Sequence, residues 1–186
     1  MNAYDFDKTI FDGDSTARFY VYCLLRTPRM LLRIPRLVFE AVFLLKKDKQ
    51  KFKQNMFGFL TDLKDADRMI AAFWKKNEKR IKKFYLAQQR EDDLIASASP
   101  KFIVKPMTDK LGIKYLIASP VDVKTGLYYG KNCHGQEKVV RFRREFPGMT
   151  IEKFYSDSHS DDPMAAIAKE AFMVKGEKLS RWEMKK

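Results

Sequence analysis

Four aspartates lie within the first 14 residues of the chain, and two of them end a short apolar run. Residues 2–7 alternate as a β-strand does, so Asp5 and Asp7 should share one face of that strand. Neighbouring carboxylates repel each other, and a divalent cation that prefers oxygen ligands would relieve the repulsion. A polar strand end followed by an Asx turn over residues 12–14 explains the same pattern without a metal.

Further polar side chains follow the later predicted strands. Ser97 follows an apolar strand at 94–96, Lys138 lies near the start of a basic helix at 136–146, and Asp157 and Asp161 follow a strand at 151–155. In an open parallel sheet the carboxyl ends of the strands meet at one edge, where ligands bind. Carboxylates, a hydroxyl and a lysine at one point suit magnesium-assisted phosphoryl transfer.

The elements that must position these residues are of two kinds. Residues 16–84 carry helical patterning, including an apolar run from Met30 to Leu45 and an amphipathic helix over 61–84. From Asp92 onward, strands alternate with helices, ending in a helix over 161–169, a strand over 171–174 and a basic tail. This order predicts an α/β fold whose mostly parallel sheet has helices on both faces.

Composition limits the class of protein. With 186 residues, 45% of them hydrophobic and 33% charged, the chain suits one soluble domain with a small inserted lobe. Cys23 and Cys133 stand in no disulfide or zinc pattern, which favours a reducing cytoplasm. Acidic residues from position 5 onward are unlike a signal peptide, so we expect a cytoplasmic protein.

The net charge of +13 is concentrated in one segment, since residues 26–83 hold 17 Lys/Arg against 6 Asp/Glu. Such a segment indicates an anionic partner, although a solvated helix face would carry the same charge. Residues 29–39 alternate arginines with apolar side chains, as helices at membrane interfaces do. We therefore expect a phosphorylated small molecule or a lipid headgroup as partner, with peripheral contact to an anionic membrane surface, and no nucleic acid.

In their order and type, these motifs resemble those of the haloacid dehalogenase-like superfamily. The resemblance spans almost the whole chain and rests on Asp5-Phe6-Asp7-Lys8-Thr9, Ser97, Lys138 and the pair Asp157 and Asp161. It implies a Rossmann-like parallel sheet and, as in subclass I (IB type), an all-helical cap inserted after the first strand. The implied division is a core of residues 1–15 and 86–186 and a cap of residues 16–85.

The resemblance also implies a role for each motif residue. Asp5 would attack phosphorus to form an aspartyl phosphate, and Asp7 would act as general acid and then general base. Ser97 and Lys138 would bind the phosphoryl group.

The metal implied by the resemblance is Mg²⁺. Its ligands would be the Asp5 and Asp157 carboxylates and the backbone carbonyl of Asp7, with Asp161 orienting the metal ligands from outside.

Three positions have competitors in the sequence: Ser99 for Ser97, Lys131 for Lys138 and Asp162 for Asp161. Strand alternation and the family position favour Ser97, the start of a helix favours Lys138, and the spacing from Asp157 favours Asp161. Lys8 stands where many relatives have glycine. Phosphoserine phosphatase-like and phosphatidylglycerophosphatase C-like members are the subgroups that the chain resembles. The substrate is therefore expected to be a lipid phosphate such as phosphatidylglycerophosphate or, as the alternative, a small soluble phosphorylated metabolite. Transfer to an acceptor other than water is a further, less favoured alternative.

Overall fold

A six-stranded sheet organises the protein, whose computed structural model describes residues 1–44 and 47–184. The strands follow the spatial order β3-β2-β1-β4-β5-β6; the first five in this order are parallel, and β6 pairs antiparallel to β5. Their bounds are Ala3–Tyr4 (β1), Leu94–Pro100 (β2), Tyr115–Ser119 (β3), Ile151–Ser156 (β4), Ala168–Lys175 (β5) and Lys178–Arg181 (β6). The predicted α/β fold with a mostly parallel sheet is confirmed.

The central strand β1 is shorter than the predicted strand over residues 2–7. Its regular pairing ends at Tyr4, although the Asp5 N–H still donates to the Tyr155 carbonyl at 2.9 Å. The chain then turns, because the N–H groups of Ile10 and Phe11 both donate to the Phe6 carbonyl. Asp5 therefore lies at the end of the strand and Asp7 within the turn, and they do not share one strand face.

Helices connect and cover the strands. Between β1 and β2 the described residues form α1 (Ser15–Leu24), α2 (Ile34–Leu44), α3 (Lys49–Phe57), α4 (Ala66–Asn77) and α5 (Lys83–Leu86), with 3₁₀ turns at Pro28–Arg33, Gly58–Asp62 and Glu78–Arg80. The later helices are α6 (Lys101–Lys110), α7 (Gln136–Glu145) and α8 (Asp162–Ala165). The predicted end of the apolar run at Leu45 lies outside the described residues.

An aromatic cluster joins the α1–α5 segment to the sheet. Phe19 of α1 packs edge-on against Phe73 of α4, with ring centroids 5.5 Å apart, and Trp74 packs against Phe6 and Phe11. The Trp74 indole N–H donates to the Ile103 carbonyl of α6 at 2.8 Å. This continuous core fixes the helices against the carboxyl ends of the strands, while the division into a core and a cap at residues 16–85 stays a prediction.

The single helix predicted over residues 61–84 is wrong. Asp65 caps α4 by accepting a hydrogen bond from the Arg68 N–H at 2.9 Å, and the chain leaves helical geometry at Ile81. Residues 80–82 pair with the loop after β1 instead: the Asp12 N–H donates to the Arg80 carbonyl, and the Lys82 N–H donates to the Ile10 carbonyl. Tertiary backbone pairing thus overrides an amphipathic pattern.

The C-terminal prediction is also wrong. The helix expected over 161–169 is limited to the short α8, and β5 already begins at Ala168. The residues expected to form a basic tail include β6, which follows a tight turn at Gly176 (φ +62°) and pairs with β5. A glycine that can adopt a positive φ between two strands indicates a hairpin. The prediction of a tail rested on the charge of the segment and overlooked this glycine.

Burial of Asp93 before β2 should lower the stability of the protein at neutral pH. Its side chain is fully buried, and burial raises its pKa to about 6, against the hydrogen bond from the Arg90 N–H. Because the pKa is raised in the folded state, stability falls as pH rises from about 4 to about 6 and stays lower above that.

We predict that Asp93→Asn raises the free energy of unfolding by about 1–2 kcal/mol at pH 8, because asparagine keeps the acceptor without the charge. Urea unfolding of both proteins at pH 4 and pH 8 measures this, and the difference should shrink at pH 4. The control is Asp92→Asn, whose carboxylate lies in a half-exposed ion pair with Arg90. Equal effects of the two substitutions would contradict the prediction.

Candidate active site

A cavity of about 440 Å³ opens at the carboxyl ends of β1, β2 and β4. Five of the six predicted site residues line it: Asp5, Asp7, Lys138, Asp157 and Asp161. The wall also includes residues of α1, of α3 and of the loops before α7 and after β4 that were not among the predicted site residues: Thr16, Ala17, Phe52, Lys53, Met56, His134, Ser158 and Ser160. The sheet topology therefore brings together side chains that are up to 156 positions apart in the chain.

The ammonium group of Lys138 lies buried between two carboxylates. Its Nζ is 2.6 Å from Asp5 Oδ1 and 2.8 Å from Asp161 Oδ2, and only 2% of the lysine side chain is exposed. Burial alone would lower the lysine pKa, but the two carboxylates outweigh it and raise the pKa above its usual value. Lys138 therefore stays charged and holds the Asp5 carboxylate at the floor of the cavity.

Gly135 allows α7 to begin close enough for Lys138 to reach Asp5. Its backbone has φ +56° and ψ −123°, a conformation that is accessible almost only to glycine. A Cβ at this position would also lie 3.3 Å from the Ser160 carbonyl oxygen of the neighbouring loop. The glycine before the helix therefore lets two cavity loops pack closely, with Lys138 in the first turn of α7.

Both oxygens of the Asp5 carboxylate accept hydrogen bonds. Burial raises its pKa to about 7; Lys138 opposes this rise, and Asp161 and Asp7 add to it. Its second oxygen accepts a hydrogen bond from the Thr9 hydroxyl at 3.4 Å, and that hydroxyl accepts one from the Asp157 N–H at 3.0 Å. Thr9 thus connects the loop after β1 to the loop after β4.

Asp7 is held at the start of α1. One oxygen accepts the Ser15 N–H at 2.6 Å, from the N-terminal turn of the helix, and the other accepts the Ser99 hydroxyl. Burial raises the Asp7 pKa to about 6, and repulsion from Asp14 adds to the rise. Both oxygens of Asp7 therefore have donors from outside its own loop, which fixes the carboxyl group beside Asp5.

Of the two competing serines, the structure places Ser99 and not Ser97 in the cavity wall. The Ser97 side chain is fully buried, and its oxygen accepts a hydrogen bond from the Ser99 N–H at 3.0 Å. Ser99 lines the cavity and contacts Asp7 and the Thr16 hydroxyl. The family position favours Ser97, but strand alternation cannot distinguish two serines in Ser-Ala-Ser, since both lie on the same face. Phosphoryl binding by Ser97 stays a prediction.

At the other two contested positions, the predicted residues Lys138 and Asp161 line the cavity and their competitors do not. Lys131 lies outside the cavity lining, and its carbonyl accepts a hydrogen bond from Arg141 at 2.6 Å. Asp162 also lies outside the lining; its carboxylate contacts His159 at 3.0 Å and accepts the Trp182 indole N–H at 2.8 Å.

The oxygen donors of the cavity fit a small hard cation. No group of three or more acidic, histidine or cysteine side chains that could hold a metal occurs among residues 1–44 and 47–184. The predicted set needs only two side chains, Asp5 and Asp157, with one backbone carbonyl, and Mg²⁺ usually keeps several waters. Burial raises the pKa of Asp157, and the buried Asp161 Oδ1 has no hydrogen-bond partner among the described residues. Both facts indicate negative charge that a cation would stabilise.

Asp161 contacts Lys138 and Ser156, whereas the family resemblance implies that it orients the metal ligands. One of its oxygens accepts hydrogen bonds from Lys138 Nζ and from the Ser156 hydroxyl, both at 2.8 Å. Its observed contacts therefore position the lysine, and orientation of the metal ligands by Asp161 stays a prediction.

Comparison with known proteins identifies the family. A model of the haloacid dehalogenase-like hydrolases matches residues 3–166, which is most of the chain. The chain belongs to this family. An 83-residue segment is 36% identical to protein CicA of Caulobacter vibrioides; the match covers 41% of this chain and 37% of CicA, well under two thirds of that relative.

Two solved structures share the fold. A protein with unknown function from Bordetella pertussis Tohama I superposes with a TM-score of 0.71 at 20% identity, over 92% of this chain and 87% of that one. A probable phosphoserine phosphatase from Vibrio cholerae gives a TM-score of 0.65 at 13% identity, over 91% of this chain and 55% of that one. At these identities the likeness establishes the fold.

We predict that Lys138→Met lowers the free energy of unfolding by about 3 kcal/mol or more in metal-free buffer at pH 8, because two carboxylates lose the cation buried between them. The matched control is Lys169→Met, which breaks an exposed pair with Glu152 and should cost under about 1 kcal/mol. Urea unfolding followed by circular dichroism gives both values. A Lys138→Met protein as stable as the control would contradict the assignment of a buried triad.

Proposed function

We propose that the protein is a Mg²⁺-dependent phosphomonoester hydrolase that acts through an aspartyl-phosphate intermediate. The observation that carries this proposal is the Asp5 carboxylate, which is fixed by Lys138 at 2.6 Å on the floor of an open cavity, with the Asp7 carboxyl group beside it. A nucleophile next to an acid–base group and a fixed cation is the arrangement that phosphoryl transfer requires.

The proposed reaction has two displacements at phosphorus. In the first, an Asp5 carboxylate oxygen attacks phosphorus, the bond to the leaving alkoxide breaks, and Asp7 donates a proton to that oxygen. In the second, Asp7 removes a proton from water as the water attacks phosphorus, and the bond to Asp5 breaks to release inorganic phosphate. The donors to Asp7 from Ser15 and Ser99 keep it oriented during both steps.

Mg²⁺ would be held by the Asp5 and Asp157 carboxylates and the Asp7 backbone carbonyl. When bound, it would neutralise phosphate charge and so lower the barrier to attack by an anionic nucleophile. Lys138 contributes fixed positive charge at the same point; it donates to Asp161, whose carboxylate also accepts the Ser156 hydroxyl.

For the substrate, we propose a phosphate group on a lipid. Between residues 21 and 42 four apolar residues are exposed, and we refer to them together as the apolar surface: Leu25, Leu32, Val38 and Val42, with 76%, 83%, 61% and 72% of each residue accessible. Apolar side chains of this size in one region of a surface mark an interaction site. No helix among the described residues has the length and apolar character needed to cross a bilayer.

The charge around this apolar surface favours an anionic membrane as its partner. Residues 21–39 contain four arginines and no acidic residue; Arg33 pairs with Asp62 and Arg36 with Glu40, whereas Arg26 and Arg29 form no salt bridge among the described residues. The positive charge of Arg26 and Arg29 disfavours a second copy of the same surface as the partner. Arginine stems can lie on lipid while their guanidinium groups contact phosphates. The Asn55 amide of α3 donates to Glu40 of α2 at 2.9 Å, and α3 also lines the cavity. The helix α2 is therefore connected to the cavity through α3.

The competing substrate is a small soluble phosphorylated metabolite. The fold shared with a probable phosphoserine phosphatase supports this alternative. A cavity of about 440 Å³ accommodates either a headgroup or a metabolite.

We predict that Asp5→Asn abolishes release of inorganic phosphate, at least about 10³-fold, while circular dichroism and thermal unfolding remain those of a folded protein. The matched control is Asp12→Asn, which changes an exposed aspartate of the same loop and should retain activity within a factor of two. Turnover that survives Asp5→Asn would contradict the nucleophile assignment.

We also predict binding to vesicles that contain phosphatidylglycerol and much weaker binding to pure phosphatidylcholine, measured by sedimentation. Leu32→Glu with Val38→Glu should weaken binding at least about tenfold, since two carboxylates would have to enter the interface. The control, Met149→Glu, places a charge on an exposed apolar residue before β4 and should bind as wild type does. Indifference to vesicles combined with turnover of phosphoserine would favour the soluble metabolite.

A further inference from the structure

Lys8 has a backbone conformation that disfavours lysine. Its φ is +58°, and it is the one non-glycine residue with a positive φ among the described residues. Glycine adopts this region freely, whereas a residue with a Cβ is strained there. A lysine at this position is therefore unfavourable for the backbone.

The surrounding loop imposes this conformation. The Lys8 N–H donates to the Gly13 carbonyl at 2.9 Å, and the ammonium group of the buried Lys82 donates to the Lys8 carbonyl. Lys82 itself is fixed because its N–H donates to the Ile10 carbonyl at 2.8 Å. These contacts involve only backbone atoms of residue 8, so glycine would make all of them. The lysine side chain must contribute something other than the shape of the loop.

That side chain lines the cavity. Lys138 is paired with two carboxylates, whereas Lys8 is exposed and forms no salt bridge within the part of the chain that the structure describes. Lys8 and Asp157 both line this cavity. Its positive charge therefore acts inside the cavity and is not tied up in an ion pair.

More aspartates than lysines line the cavity. Five aspartates and three lysines line the cavity: Asp5, Asp7, Asp14, Asp157 and Asp161 against Lys8, Lys53 and Lys138. One divalent cation would bring these formal charges to zero. Lys138 is already paired with the proposed nucleophile, whereas Lys8 lines the same cavity without a salt bridge among the described residues, so a second negative group on the substrate could pair with Lys8.

We propose that Lys8 is a specificity-determining residue that binds a second anionic group of the substrate, so that the site prefers phosphomonoesters carrying an additional carboxylate or phosphate close to the reacting phosphate. This inference rests on the proposed function for the position of the reacting phosphate at Asp5. Strain retained at a ligand site is a recognised use of an unfavourable backbone conformation.

The test compares two ligands that differ in one charged group, 3-phosphoglycerate and glycerol 3-phosphate, by calorimetry with Mg²⁺ present. Binding is measured on the Asp5→Asn protein, so the result does not depend on turnover. We expect about tenfold tighter binding of 3-phosphoglycerate, the size of one charge-assisted contact. Lys8→Gly should remove this preference and Lys8→Arg should keep it. The control Lys75→Ala, which removes one exposed charge from α4, should also keep it.

Stability separates a ligand role from a structural one. If the side chain serves only substrate, Lys8→Gly relieves strain and should unfold at the same or a higher urea concentration than wild type. Earlier unfolding of Lys8→Gly, or equal affinity of the Lys8 protein for the two ligands, would overturn the inference. If Lys8→Gly changed only the affinity for Mg²⁺ and left the ligand preference intact, the role of Lys8 would be to interact with Asp157. That result would also overturn the inference. Failure of the proposed function would show separately, as the absence of phosphate release by the wild-type protein.

Discussion

The buried ion pairs of Lys138 with Asp5 and Asp161 are the interaction on which the arrangement of the site depends. Three elements that are distant in sequence meet there: the end of β1, the first turn of α7 and the loop after β4. Removing charges from water is costly, and a buried ammonium is stable only if carboxylates surround it. The same contacts that recover this cost fix the position of the Asp5 carboxylate.

A second set of contacts couples Asp7 to the helical segment. The Ser15 N–H and the Ser99 hydroxyl hold its two oxygens, so the start of α1 and the end of β2 both determine where this carboxyl group lies. Asp5 and Asp7 are two residues apart in the chain but are held by different groups. Asp5 is held by the charged Lys138, and Asp7 is held by the neutral donors Ser15 and Ser99. Different surroundings allow adjacent carboxyl groups to do different chemistry, one as nucleophile and one as acid and base.

Much of this arrangement follows from the sequence because parallel strands place their carboxyl ends together. The apolar strands before Asp5 and Asp157 indicated polar residues that meet at the cavity, whereas Ser97 lies outside the cavity lining. The alternation of strands with helices indicated the sheet. What the sequence could not supply were contacts made by the folded chain. Nothing local distinguishes Ser97 from Ser99, and the cavity contacts of Thr16 and His134 come from packing. The helix over 61–84 failed because residues 80–82 pair with the loop after β1, and β6 was missed because its charged residues suggested a tail.

We propose that this ionic arrangement makes Asp5 the nucleophile. The most direct measurement is to mix the wild-type protein briefly with a phosphomonoester and Mg²⁺, quench in acid, reduce acyl phosphate with borohydride and locate the product by peptide mass spectrometry. Reduction of an aspartyl phosphate gives homoserine, which we expect at position 5 only. Homoserine at another aspartate, or steady phosphate release with none formed at position 5, would show that Asp5 is not the nucleophile.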